Sequence, residues 1–251
     1  MAIYPELSGR VVLVSGGGSG IGEAIVRQFA AQRARVAFID IAEEPSRALV
    51  REFESAGNEV HFEHCDLTDI AALRQAVAAC RARFGPIQVL INNAANDERH
   101  PTEEVTEQSW DDRMAVNLKH QFFCAQAVLP DMKGAGGGAI INLGSISWIK
   151  GLGGMVGYTA AKSAVLGLTR SLARDYGPYG IRVNAVAPGW IITRRQLEKW
   201  LTPESEAQML AHQCLKRRLE PIEVAKVIVF LASDEASACT SQHYVVDGGW
   251  V

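Results

Sequence analysis

Tyr158 and Lys162 lie four residues apart in a stretch whose apolar spacing predicts a helix over 156–176, so both side chains share one face. A free phenol ionises at about pH 10, too high for a base near neutrality. An ammonium beside it stabilises the phenolate and brings that value down. The pair could therefore take a proton from an alcohol or return one to a carbonyl. The spacing alone says little, because helices are full of such pairs. Its surroundings decide.

The run Ser15-Gly16-Gly17-Gly18-Ser19-Gly20-Ile21-Gly22 follows an apolar segment and opens an amphipathic one. Glycines let a backbone approach a pyrophosphate, and a helix N-terminus favours its charge. With a strand before it and a helix after it, the run reads as a dinucleotide cradle, with Gly16, Ser19, Gly20, Ile21 and Gly22 as contacts. Asp40 stands 18 residues after Gly22, at the end of the next apolar run. A carboxylate there can accept from the adenosine ribose hydroxyls and would repel a 2′-phosphate. No Lys or Arg lies in the glycine run or directly after Asp40. The expected cofactor is NAD rather than NADP.

These residues need a scaffold, and the pattern supplies one. Strands are predicted over 10–14, 35–40, 59–64, 88–91, 138–143, 181–186 and 243–246. Helices are predicted over 21–32, 45–56, 70–84, 110–132 and 156–176. Continuous apolar strands such as VVLV belong in a parallel sheet covered on both faces. The alternation predicts a single-domain Rossmann-type α/β fold, a doubly wound parallel sheet with helices on both faces, over residues 1–251. One stretch breaks the rhythm: 189–220 is polar and rich in Arg and Trp. Inserted beyond the carboxyl end of a strand, it reads as a substrate lid.

Hydrophobic residues make up 48% and charged residues 21%, enough for a well-buried core. The net charge of -3, without a basic block, argues against nucleic acid as a partner. Five scattered Cys, with no CxxC pair, read as free thiols in a reducing cytosol. His61, His64 and Cys65 fit an ordinary strand better than a metal site, so no metal is expected. No run of apolar residues approaches a membrane span, and no signal peptide is evident, so the expected location is cytoplasmic.

Taken in order, the glycine run, Asn92-Asn93-Ala94-Ala95, Asn117, Ser145, Tyr158-Thr159-Ala160-Ala161-Lys162 and Pro188-Gly189 resemble the short-chain dehydrogenase/reductase family over the entire chain. Two departures are mild: Ser15 stands where the family often has Thr, and Ala95 where it often has Gly. The resemblance implies a nicotinamide-dependent oxidoreductase with Tyr158 as acid/base and Lys162 lowering its pKa while touching the nicotinamide ribose. It implies that Ser145 holds the reacting oxygen, and that Asn117 positions Lys162 and a relaying water. Asp66 and Leu67 would contact the adenine, Asn93 the adenosine ribose, and Pro188, Gly189, Ile191 and Thr193 the nicotinamide end. A homotetramer is implied too, with the helices at 110–132 and 156–176 as pairing candidates and the terminal Trp250 reaching a neighbour.

Finer features, including Asn96–His100, Gly144–Trp148 and the Arg195–Glu204 stretch, resemble bacterial sugar 1-dehydrogenases of the D-xylose, L-fucose, L-arabinose and D-galactose type. These oxidise the anomeric carbon of an aldopyranose to an aldonolactone. A sugar needs many donors and acceptors, which Asn96, Arg99, His100, Ser145, Ser147, Tyr158 and Gln196 could supply. Its C–H face needs a flat apolar surface, for which Trp148, Trp190 and Trp200 are candidates. Tryptophans equally pack lids and subunit contacts. Arg194 and Arg195, if turned into the pocket, would instead suggest a sugar acid. The alternatives left open are a keto-deoxy sugar acid dehydrogenase or another secondary alcohol dehydrogenase, a 3-oxoacyl thioester reductase, and a non-catalytic dinucleotide sensor.

Overall fold

The computed structural model describes residues 2–251. Seven parallel strands form one sheet: β1 (Val11–Ser15), β2 (Arg35–Asp40), β3 (Val60–His64), β4 (Val89–Asn92), β5 (Gly138–Leu143), β6 (Ile181–Pro188) and β7 (His243–Val246). Their order across the sheet is β3-β2-β1-β4-β5-β6-β7. The chain first winds outward from β1 to β3, then crosses back to place β4 beside β1. In doubly wound sheets a ligand crevice opens beyond the strand ends at that reversal. Gly16 after β1 and Asn93 after β4 are the residues found there.

Nine α-helices flank the sheet among the described residues: α1 (Gly20–Ala31), α2 (Glu43–Ser55), α3 (Ile70–Phe84), α4 (Glu107–Met114), α5 (His120–Gly134), α6 (Val156–Tyr176), α7 (Arg194–Lys199), α8 (Pro203–His212) and α9 (Pro221–Ala232). Each face of the sheet has its own core. Ile25, Val26 and Phe29 of α1 pack with Phe53 of α2 and Ile228 of α9 on one face. Leu73 of α3, Cys124 of α5 and Leu172 of α6 pack on the other. Strands covered on both sides have no polar face, and every residue of β1 and β4 is buried.

Two departures from the sequence pattern bear on the site. The predicted helix over 110–132 begins earlier, because Thr106 and Ser109 form a capping box ahead of α4. It is also interrupted, since a π-helical turn over Ala115–Lys119 separates α4 from α5. The Asn117 side chain donates to Arg113 O, four residues back, and so competes with the backbone ladder at that turn. The 189–220 stretch holds α7 and α8, each started by a Thr side-chain cap, from Thr193 and Thr202. Helix α9, which the polar and apolar pattern did not separate from its surroundings, begins with Pro221 after a Glu220/Glu223 capping box. No helix among the described residues is long and apolar enough to cross a membrane.

Candidate active site

The glycine run wraps the switch point tightly. A Cβ at Gly17 would lie 2.5 Å from the Phe38 Cβ, and one at Gly16 would lie 2.8 Å from the Ala94 Cα. At Gly22 it would collide with the Gly16 carbonyl. Only glycine fits these positions, and Gly16 also holds φ at 69°. Ser19, the N-cap of α1, makes no side-chain cap bond, so its first-turn N–H groups face outward for a ligand. Ser15 Oγ accepts from the Asn93 and Ala94 N–H groups, while Asn93 Nδ2 donates to the Ser15 and Gly16 carbonyls. Asn93 therefore braces the loop from β4, and Ser15 does so without the larger Thr.

Asp40 closes the other side of the cradle. Its Oδ2 accepts from Gly18 N at 2.8 Å, and its Oδ1 accepts from Ala42 N at 2.9 Å. Each oxygen keeps a lone-pair direction for a ribose hydroxyl. Asp66 and Leu67 follow β3, whose His64 pairs with Asp40. Leu67 is buried, whereas Asp66 is exposed and accepts from Thr68. Across the cradle, Thr193 at the start of α7 approaches Gly20, so the 189–220 stretch begins on the glycine run. Pro188 O receives Ile146 N, and Ile191 bridges to Leu219. These observations fit a dinucleotide lying from β2 to β6.

Tyr158 and Lys162 sit on the inner face of α6, opposite Ser145 in the loop after β5. The Lys162 ammonium is buried, lies 5.7 Å from the Tyr158 ring centre and donates to Leu143 O at 2.8 Å. Burial pushes Lys162 down to about 7 and Tyr158 up to about 12. The Ser145 hydroxyl opposes the Tyr158 shift, and Asp97 adds to it. Without a ligand the phenol is therefore protonated at neutral pH. Asn117 does not touch Lys162 directly. Its amide clamps Asn96, accepting from Asn96 N at 2.9 Å and donating to Asn96 O at 3.1 Å. Gln121 Nε2 links the two, donating to both Asn117 O and Leu143 O.

The sequence-predicted substrate groups divide. Ser147 Oγ and His100 Nε2 are buried and lack a hydrogen-bond partner among the described residues. Buried polar atoms left unmade are costly, so each needs a partner that the described residues do not supply. Ser147 N donates to Ser145 Oγ, which places Ser147 beside the reacting position. Trp190 and Gln196 are paired with each other, Nε1 to Oε1 at 2.7 Å. Gln196 Nε2 also donates to Asp97. Trp148 lies 6.2 Å from the His243 ring, and Arg99 rests on the Trp200 ring at 4.3 Å. The terminal Trp250 is engaged within its own chain, against Lys150 and His212.

Arg194 and Arg195 are both occupied by acids. Arg195 pairs with Asp97 and Glu98, at 2.9 and 3.0 Å, and Lys199 also reaches Glu98. Arg194 points outward and pairs with Glu198. Sequence reasoning could not find this clamp, because its partners lie some 98 residues apart. Among the described residues no three His, Cys, Asp or Glu side chains group as metal ligands; His61 meets Glu63 at 2.6 Å, and Cys65 is buried.

Comparison with known proteins decides the family. A family model described as Enoyl-(Acyl carrier protein) reductase matches residues 16–251. The D-xylose 1-dehydrogenase of Caulobacter vibrioides is 52% identical over 251 residues, covering 99% of this chain and 98% of that protein. The chain belongs to the short-chain dehydrogenase/reductase family. A Rhizobium meliloti protein named "Probable galactose dehydrogenase GalD" is 48% identical, covering 98% and 96% of the two chains. The solved structure of a 7α-hydroxysteroid dehydrogenase with NADH and 7-oxo glycochenodeoxycholic acid superposes with a TM-score of 0.93 at 31% identity, covering 97% of this chain and 94% of that one. As a short-chain dehydrogenase/reductase, the chain is an oxidoreductase that uses a nicotinamide cofactor. The glycine run and the Ser145–Tyr158–Lys162 group occupy the ends of β1 and β5 and the inner face of α6, around one crevice.

Proposed function

We propose that this protein is an NAD-dependent sugar 1-dehydrogenase that oxidises the anomeric hydroxyl of a neutral aldopyranose to the aldonolactone. The observation that carries the substrate class is the clamp: Arg195 and Lys199 are neutralised by Asp97 and Glu98 of the chain itself. A sugar acid would need such a cation free, so the pocket's offer is hydrogen bonding from His100 and Ser147. The likeness to D-xylose 1-dehydrogenase over nearly the full chain supports the same reading. A dinucleotide sensor has no use for a buried lysine behind a tyrosine, and both are present.

Bound NAD supplies the acceptor for the hydride that leaves C1. Ser145 holds the C1 oxygen, and Tyr158 removes its proton. An anomeric hydroxyl is more acidic than an ordinary alcohol, which eases that transfer. Lys162 favours the phenolate by its charge, and its bond to Leu143 O holds it in place. Asn117 keeps the Asn96 loop at the rim, with Arg99 and His100 beyond it. Residues 189–220 form the lid, with Trp190 and Gln196 at its hinge and Ile191 and Thr193 along the nicotinamide end. The working unit is a homotetramer, to which the exposed Trp110 and Phe122 of α4 and α5 offer apolar contact.

The cofactor reading turns on Asp40. The wild type is expected to use NAD with a far higher kcat/KM than NADP across a panel of aldoses. Removing a charged hydrogen-bond acceptor costs roughly 1.5–3 kcal/mol. Asp40→Ser should therefore lower kcat/KM for NAD by about ten- to a hundredfold, and raise that for NADP. Steady-state kinetics with both cofactors test this. Equal use of the two by the wild type overturns the NAD reading, and failure of every aldose while a sugar acid reacts overturns the substrate reading.

A further inference from the structure

Four segments distant in the chain meet above Ser145 and Tyr158 and join end to end. The loop after β4 meets the loop after β5 where His100 N donates to Gly154 O at 2.8 Å. It meets the lid through the Asp97–Arg195 and Asp97–Gln196 bonds and through Arg99 on Trp200. The lid then meets the C-terminal tail: Cys214 N donates to Gly249 O at 3.0 Å, and Leu215 N to Gly248 O at 2.9 Å. Past the end of β7 the tail turns back on Asp247, a buried carboxylate that accepts from the N–H groups of Gly249, Trp250 and Val251 at 2.8, 3.0 and 2.9 Å. Gly248 and Gly249 hold φ at 70° and 78°, a backbone that other residues rarely adopt.

That turn delivers Trp250 between two partners. The His212 ring, at the end of α8, stacks on it with centres 5.7 Å apart and planes 17° apart. The Lys150 ammonium lies 3.1 Å from its ring centre. Lys150 belongs to the loop after β5, and that loop is tied by its own hydrogen bonds. Lys150 N donates to Ile146 O, Leu152 N to Ser147 O, and Ser147 N to Ser145 Oγ. A displacement of Lys150 therefore reaches Ser147, a residue of the proposed sugar site.

We propose that Trp250 is a positioning residue for the substrate: it is the bolt that closes a ring of four segments and holds the lid in register with the Ser145–Ser147 turn. The ring has three other joints, each a polar contact between two segments, whereas the tail joint passes through one side chain. Removing that side chain separates α8 from the loop after β5 without touching the glycine run, Tyr158 or Lys162. The cost falls on sugar binding, which needs the lid and the turn together. Chemistry and cofactor affinity are spared.

This inference rests on the sugar reading for its kinetic arm only. Trp250→Ala is expected to raise KM for the preferred aldose by about five- to thirtyfold, the range of a partly desolvated cation–π contact. The kcat and the NAD dissociation constant should stay within about twofold. Lys150→Met should reproduce most of the effect, and Lys150→Arg, which keeps the cation over the ring, should restore KM. Hydrogen exchange, read on the free protein, should show faster amides in 203–212 and in 146–152 in Trp250→Ala. Should that variant not fold, Lys150→Met and His212→Ala each remove one face of the sandwich and give the same two readouts. Unchanged KM together with unchanged exchange in the folded variants overturns the proposal. If no aldose is oxidised, the sugar reading fails, and the exchange result alone decides the bolt.

Discussion

Replacing Tyr158 by Phe is expected to lower turnover by about 10²–10⁴-fold or more, the range for loss of a general acid/base. The substitution removes one oxygen and leaves the ring on α6 in place, so fold and NAD affinity should persist. The same residue sets the pH dependence. Burial holds the Tyr158 phenol up to about 12 in the free protein, so it is protonated at neutrality. Oxidation needs the phenolate, so kcat/KM for the sugar should rise with pH from neutral into the alkaline range. Reduction needs the phenol, which persists until the pH approaches about 12, so the reverse reaction should stay level over the same range. Turnover of Tyr158→Phe near the wild-type level would remove Tyr158 from the mechanism.

Lys162 pays for its position in stability, and the second large effect follows from that. Its folded value of about 7 lies below the ordinary lysine value of 10.5. Between those values the unfolded chain binds more protons than the folded one, so wild-type stability rises with pH through the window. The cost of the buried charge is present in full below about pH 7. Lys162→Met removes it, and the Leu143 carbonyl keeps its bond from Gln121. The variant should therefore lose activity by at least about 10²-fold, as expected when the acid/base loses its support. It should be more stable than the wild type by about 3–5 kcal/mol near pH 6. That gain should shrink as pH approaches 10. Denaturant unfolding at the two pH values checks this, and a less stable variant near pH 6 would show that Lys162 is held by more than its catalytic use.

What could be seen in the sequence is what depends on short separations. The glycine run, Asp40 eighteen residues after it and the Tyr158–Lys162 spacing each specify a local backbone with a local chemistry. The strands of the sheet declare themselves by unbroken apolar runs, because both faces are covered. The π-turn at Asn117 was hidden, since one extra residue in a turn leaves the apolar rhythm on either side intact. The helices of the 189–220 stretch were hidden by their polarity: α7 and α8 bury little and depend on Thr caps. Partnerships were the least legible. Arg195 with Asp97, Lys162 with the Leu143 carbonyl and Trp250 with Lys150 are contacts between segments that only the folded sheet brings together. The sequence pattern could therefore raise the question of what the lid arginines do, and only the geometry answers it.

The central claim is that hydride leaves C1 of an aldopyranose for NAD while Tyr158 takes the proton of the C1 hydroxyl. An aldose carrying deuterium at C1 tests it directly, with the reduced cofactor and the sugar product analysed by mass. The deuterium is expected in the reduced nicotinamide, with a primary isotope effect on the rate and a lactone product that opens to the aldonic acid. Reduced cofactor without deuterium, beside a sugar that keeps its label at C1, would place the oxidation on another carbon and contradict the account.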